Sequence, residues 1–222
     1  MSLQLYFAPG ACSFVPHVLL EAAGAAFEPK MIKLHKGEQY GEEYRALNPR
    51  SQVPLLVADG QAITQIVAIS TFIAESFPAA NFLPRDPLQK ARFLQTLAWM
   101  NNSVHPSFTH IFMPHKYTAD KAAQTALKSH NTQLFAEQLQ EIDTMVSQAK
   151  AQGQYLAASL GHDHLTALDA YALTLTRWGS MAGIDPTQFK HSWEHIQTLA
   201  ALPAVAKVIE RERLQLNLMQ SS

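Results

Sequence analysis

One cysteine, Cys12, is all the chain has, so no internal disulfide can form and a reducing compartment suits it. An excess of either charge is missing too: 17 basic side chains face 18 acidic ones, which leaves no field to gather nucleic acid or anionic lipid. No apolar run reaches the length of about 18 residues that a bilayer span needs. Residues 1–20 do not carry a basic start followed by an unbroken apolar stretch, so no leader is expected and a cytoplasmic location is. The ten histidines, including "GHDH" at 161–164, lack further ligand residues at metal-site spacing, and no metal is predicted. Internal repeats and low-complexity segments are missing as well. What is present is a 47% apolar fraction spread over 222 residues, enough for one large domain or two small ones to fill a core.

The first eighty residues alternate short strands with helices. Leu3, Leu5 and Phe7 alternate with Gln4 and Tyr6 as in a half-buried strand, which Pro9-Gly10 breaks. Val15, Val18, Leu19 and Ala22 then recur at helical spacing up to Gly24, a residue suited to a left-handed helix stop. An apolar stretch from Met31 to Leu34 predicts a second strand, and Tyr40 to Leu47 a short helix ended by Asn48-Pro49. Leu55 to Val57 and Ala62-Ile63 flank Asp59-Gly60, the dipeptide that type I′ hairpins favour. Val67, Ile69, Ile73 and Phe77 return to helical spacing. The order is β-α-β-α-β-β-α, an α/β fold with a small sheet flanked by helices.

"PAANFLPRDP", residues 78–87, is proline-rich and poor in apolar anchors, as a linker is. The expected division is a first domain over 1–78, a linker over 79–87 and an all-helical domain over 88–222. Leu127, Leu134, Ile142, Met145 and Ala149 share one face of a helix there. Thr166 followed three residues later by Asp169 reads as a reciprocal cap, with Leu165 as staple, so a helix is predicted to begin at Thr166.

Cys12 falls at or beside the N-terminus of the first helix, where free amides and the positive dipole end favour an anion such as a thiolate. Lowering a thiol pKa by ~2 units from about 8.5 takes about 2.7 kcal/mol, whereas the dipole supplies only ~0.3–1. A hydrogen bond to the charged form, worth roughly 1.5–3 kcal/mol, has to be added. Position alone therefore leaves a reactive thiol and an inert half-buried cysteine both open. Pro54 sits where a strand begins and holds Val53 extended, with its amide and carbonyl available to a peptide-like ligand; an ordinary edge-strand proline reads the same way. Asn101 lies one helical turn before His105, and Pro106 after it removes a backbone donor to the carbonyl of Asn102, which points to a kink near a polar face.

"YFAPGACSFVPHVLLEAAG", "ALNPRSQVPLL", "ITQIVAI", "VHPSF" and "LTALDAYALTLTRW", in this order over nearly the whole chain, resemble the bacterial beta class of glutathione S-transferases. The resemblance implies a thioredoxin-like N-terminal domain, an all-helical C-terminal domain, a homodimer, and glutathione as co-substrate conjugated to small hydrophobic electrophiles. It implies that Cys12 and His105 lie at the glutathione sulfur, that Val53 before a cis Pro54 pairs its backbone with the cysteinyl unit, and that Gln52 and Lys36 meet the backbone and glycine carboxylate. Gln65 and Ile66 match the place where the γ-glutamyl end meets a helix N-terminus, and Phe108, Ile111 and Phe112, with Trp178 and Met181, are candidates for the acceptor pocket or for core. Three departures stand out. Gln65 replaces an acidic residue, Ile66 offers only its amide where relatives add a hydroxyl, and Pro106 stands where a basic residue is common. A hydroxyl bond worth roughly 1.5–3 kcal/mol corresponds to about 10- to 100-fold in affinity. Two other readings of these residues are glutathione-dependent thiol-disulfide exchange at Cys12 and a non-enzymatic ligand-binding or interaction protein of the same fold.

Overall fold

A computed structural model describes residues 1–219. Two compact units are resolved within it: Met1–Leu83 together with Ala200–Leu214, and Pro84–Leu199 together with the chain from Gln215.

The first unit is built on a four-stranded sheet of order β2-β1-β3-β4, with β1 at Leu3–Phe7, β2 at Glu28–Met31, β3 at Leu55–Ala58 and β4 at Gln61–Thr64. Strand β1 runs parallel to β2, placing Phe7 opposite Met31, and antiparallel to β3, placing Tyr6 opposite Leu55. The predicted alternation holds in β1, whose Leu3, Leu5 and Phe7 are buried while Gln4 and Tyr6 are half-buried. The β3–β4 hairpin turns on Asp59 and Gly60, both at positive φ (46° and 80°), as the dipeptide predicts. Helices α1 (Phe14–Ala22) and α3 (Ile66–Ser76) pack on one another, and Gly24 at φ 63° follows the end of α1. Tyr44 of the short helix α2 (Glu42–Leu47) joins Ile32, Leu55 and Val57 in a second apolar cluster.

The second strand is displaced from its predicted place. It covers Glu28–Met31 rather than Met31–Leu34, and Leu34 lies in a 3₁₀ turn. This edge strand is almost wholly exposed and carries Pro29, so its pairing with β1 owes nothing to apolar periodicity. Only Ile32, just beyond it, turns inward, its amide bonded to the Phe7 carbonyl at 2.7 Å.

The second unit is helical: α4 (Pro87–Trp99), α5 (His105–Phe112), α6 (Lys121–Lys150), α7 (Ala167–Met181) and α8 (Lys190–Ala200). Thr166 caps α7 with the predicted reciprocal pair to Asp169. On α6 the buried face runs through Asn131, Phe135, Leu139, Ile142, Val146 and Ala149; of the expected stripe, Leu127, Leu134 and Met145 are only half-buried. Two polar residues, Asn131 and Asp143, belong to the inner face and mask its register. Asn131 bonds the Leu127 carbonyl, and Asp143 accepts the Ser192 amide at 2.7 Å.

The chain after residue 88 is not all of one body. Helix α9 (Pro203–Glu212) packs on α1 in the first unit. Glu212, buried, accepts a hydrogen bond from the Gly10 amide at 2.9 Å and from His17 Nδ1 at 2.7 Å. Arg211 donates to His17 Nε2 at 2.8 Å, so His17 bridges Arg211 and Glu212. Arg211 and Lys207 both pair with Glu21 of α1.

Candidate functional site

Strand directions bring most of the candidate residues to one end of the sheet. The carboxyl end of β1 runs into the loop of Cys12. Because Tyr6 faces Leu55 and Leu55 faces Thr64, that same end holds Val53-Pro54 before β3 and Gln65-Ile66 after β4. The segment from Met31 to Lys36 also leaves the sheet there, since β2 is parallel to β1.

Three side chains shape the loop between β1 and α1. Ser13 Oγ accepts from the Ala8 amide and donates to its carbonyl, Glu212 holds the Gly10 amide, and Cys12 Sγ lies 3.5 Å from the Val53 carbonyl. Cys12 is 8% exposed. Burial pushes its thiol up to about 12, the carboxylate of Glu212 adds to the rise, and the amides of Cys12 and Ser13 pull the other way without overcoming it. The helix-end amides that the sequence points to are therefore present, and desolvation outweighs them. Cys12 is a neutral thiol that donates to Val53.

Val53 is half-buried and its bond to the buried Pro54 is cis. Its amide has no partner among the described residues. The preceding carbonyl, that of Gln52, accepts from Tyr44 Oη at 2.6 Å and from Asn48 Nδ2 at 2.7 Å, while the Gln52 side chain is exposed. Burial pushes the Tyr44 phenol up to about 12, so it remains a donor. Gln65 is exposed at φ 74° and precedes α3, whose first turn is capped by no side chain; Ile66 is buried. Lys36 is exposed in a 3₁₀ turn closed by left-handed Gly37.

The helical unit holds the remaining candidates. A π-helical turn over Met100–Val104 precedes α5, with the His105 amide bonded five residues back to Met100, which accommodates the missing amide of Pro106. His105 Nδ1 lies 2.7 Å from Tyr171 Oη, which is also 3.4 Å from Asn101 Oδ1. Part of the residue keeps contact with solvent, yet desolvation of the ring lowers its pKa to about 4. Phe108 is buried and stacks on Trp178 at 4.4 Å, Ile111 is buried, Met181 is half-buried, and Phe112 is 52% exposed. In "GHDH", the Asp163 carboxylate is committed to the amides of Gln154 and Tyr155. Among the described residues no three His, Cys, Asp or Glu side chains gather as a metal would require, and no helix is long and apolar enough to cross a membrane.

Four contributors to these surroundings are not evident in the sequence. Tyr44 reads as an apolar helix position, Asn48 as a helix stop, and Tyr171 as one apolar residue in a long buried helix. Glu212 lies 202 positions from the amide it holds. Only the Asn48-Pro49 pair carried a hint, since a buried asparagine at a helix end has a carboxamide to satisfy.

A thioredoxin-like sheet with a cysteine before α1, a cis-proline before β3 and an uncapped α3, combined with a helical unit, defines a class of thiol-handling proteins. Residues 1–75 match the family model "Glutathione S-transferase, N-terminal domain". Glutathione S-transferase GST-4.5 of Xanthomonas campestris pv. campestris is 32% identical over 82% of this chain and 85% of its own. The bacterial beta-class glutathione S-transferase of Sphingomonas chungbukensis is 26% identical, with a TM-score of 0.81 over 96% of this chain and all of that one. A sphingomonad glutathione S-transferase complexed with glutathione is also 26% identical, with a TM-score of 0.79 over the same shares. The chain belongs to the glutathione S-transferase family.

Proposed function

We propose that glutathione lies along Val53 at the carboxyl end of β1 and that its thiol is conjugated there to small hydrophobic electrophiles. The observation that carries this reading is the Val53 amide, open on a half-buried residue before the cis Pro54 and beside the only thiol in the chain. An antiparallel peptide segment exchanges both main-chain bonds with one residue of its partner. The Val53 carbonyl has a lone pair for this in addition to the one facing Cys12. The uncapped amides at Gln65-Ile66 take the γ-glutamyl carboxylate, Lys36 the glycine carboxylate, and Gln52 the tripeptide backbone.

In this reading Cys12 neighbours the glutathione sulfur and is not itself the nucleophile, because a thiol pushed up to about 12 holds almost no thiolate at neutral pH. His105, the second residue that the family resemblance assigns to the reaction, is given no proton to hold, because desolvation lowers its ring to about 4 and makes it too weak a base for a thiol. Phe112 is the exposed aromatic assigned to the electrophile. Binding both reactants converts a bimolecular attack into a local one, the main source of acceleration here. A homodimer in the cytoplasm completes the proposal.

Two measurements test it together. Calorimetric titration of the protein with glutathione should give heat at or below millimolar ligand; none leaves a non-enzymatic protein of this fold. Cys12→Ala should keep most of the conjugation of a generic aryl halide. Loss of that activity, together with loss of mixed-disulfide reduction, would move the chemistry onto Cys12.

A further inference from the structure

We propose that Tyr44 and Asn48 are positioning residues for glutathione, aiming the Val53 amide by pinning the other side of its peptide plane. The inference rests on the reading of Val53 given above. The Gln52–Val53 peptide is trans, so its carbonyl and its N–H point in opposite directions. Two donors converge on that carbonyl, Tyr44 Oη at 2.6 Å and Asn48 Nδ2 at 2.7 Å. Both donors are themselves held. Tyr44 is buried against Ile32, Leu55 and Val57, with its ring edge-on to Tyr6 at 5.6 Å. Asn48 is 2% exposed, and its main chain is tied to Tyr44 through its amide and to Ser51 through its carbonyl, while Oδ1 accepts from the Arg50 amide.

A carbonyl with both lone pairs occupied by buried donors cannot rotate its peptide without losing two hydrogen bonds, so the Val53 N–H stays directed away from α2. Hydrogen bonding at the carbonyl also polarises the peptide and strengthens its N–H as a donor. The ligand then meets a donor that is already oriented, which spares the cost of ordering the loop on binding. The chemistry recognised is a peptide carbonyl, that of the cysteinyl unit of glutathione.

Tyr44→Phe removes one pin and keeps the ring. Asn48→Asp keeps the acceptor for Arg50 but turns the second donor into a repelling oxygen. Each variant, once its circular dichroism matches the parent, is titrated calorimetrically with glutathione, and the Val53 amide is followed by 15N–1H spectroscopy. We expect the dissociation constant to rise by about 5-fold for Tyr44→Phe and about 10-fold for Asn48→Asp. KM for glutathione should rise alongside, with kcat and the electrophile KM unmoved. The shift of the Val53 resonance on adding glutathione should shrink. Unchanged affinity in both folded variants would overturn the pinning alone. A parent protein that binds no glutathione, or whose Val53 resonance ignores it, would overturn the reading of Val53 and the pinning with it.

Discussion

Cys12 shows how little a residue's place in the chain says about its acidity. The free amides of a helix end are worth roughly 0.3–1 kcal/mol to an anion, while full burial of a thiolate moves a pKa by several units; here burial wins and the thiol is pushed from near 9 up to about 12. The sign of the consequence follows from proton binding. Below pH 9 both the folded and unfolded chains hold the proton. Between pH 9 and 12 the unfolded chain releases it and the folded chain does not, so folding stability falls as pH rises through that window. Denaturant unfolding at pH 8 and pH 10.5 should show a larger loss for the parent than for Cys12→Ala. Equal losses would mean that the thiol ionises in the folded protein as it does in the unfolded one. Alkylation of native Cys12 by iodoacetamide should accordingly be slow at pH 8 and quicken without a plateau up to pH 10.

At the scale of elements, α9 is the piece that completes the first unit, and Glu212 is its anchor. Glu212→Ala strips the acceptor from the half-buried Gly10 amide and from buried His17, and should lower the unfolding free energy by roughly 2–4 kcal/mol. Glu212→Gln keeps an oxygen for Gly10 and should lose less; urea titration of the two variants reads the difference. This element also marks where sequence reading stops. The strand β1, the Asp59-Gly60 turn and the Thr166 cap were legible because each depends on neighbours within a few residues. Strand β2 was displaced because an exposed edge strand has no apolar face to display, and the α6 face was blurred by Asn131 and Asp143, buried polar residues whose partners decide their placement. Cys12, Val53-Pro54 and Gln65-Ile66 were singled out as candidates through motif and order, and sheet topology brings them to one end. Tyr44 and Asn48 act through a main-chain carbonyl, a partner that no side-chain pattern can advertise.

At the scale of the molecule, the proposed homodimer predicts sedimentation at twice the mass of one chain at micromolar concentration and at physiological salt. A single-chain mass under those conditions would confine the proposed chemistry to one subunit. The near balance of 17 basic and 18 acidic residues leaves little net repulsion to oppose such self-association. The pairing of His17 with Glu212, 195 positions apart, also has a consequence for biosynthesis. Residues 1–83 are translated well before residues 203–212, so Gly10 and His17 wait for their partner while the intervening helices are made. Until then that half is a nascent chain with an uncovered flank, a natural client for a chaperone, and an abortive product lacking α9 would carry every glutathione contact proposed here on a scaffold that cannot finish folding.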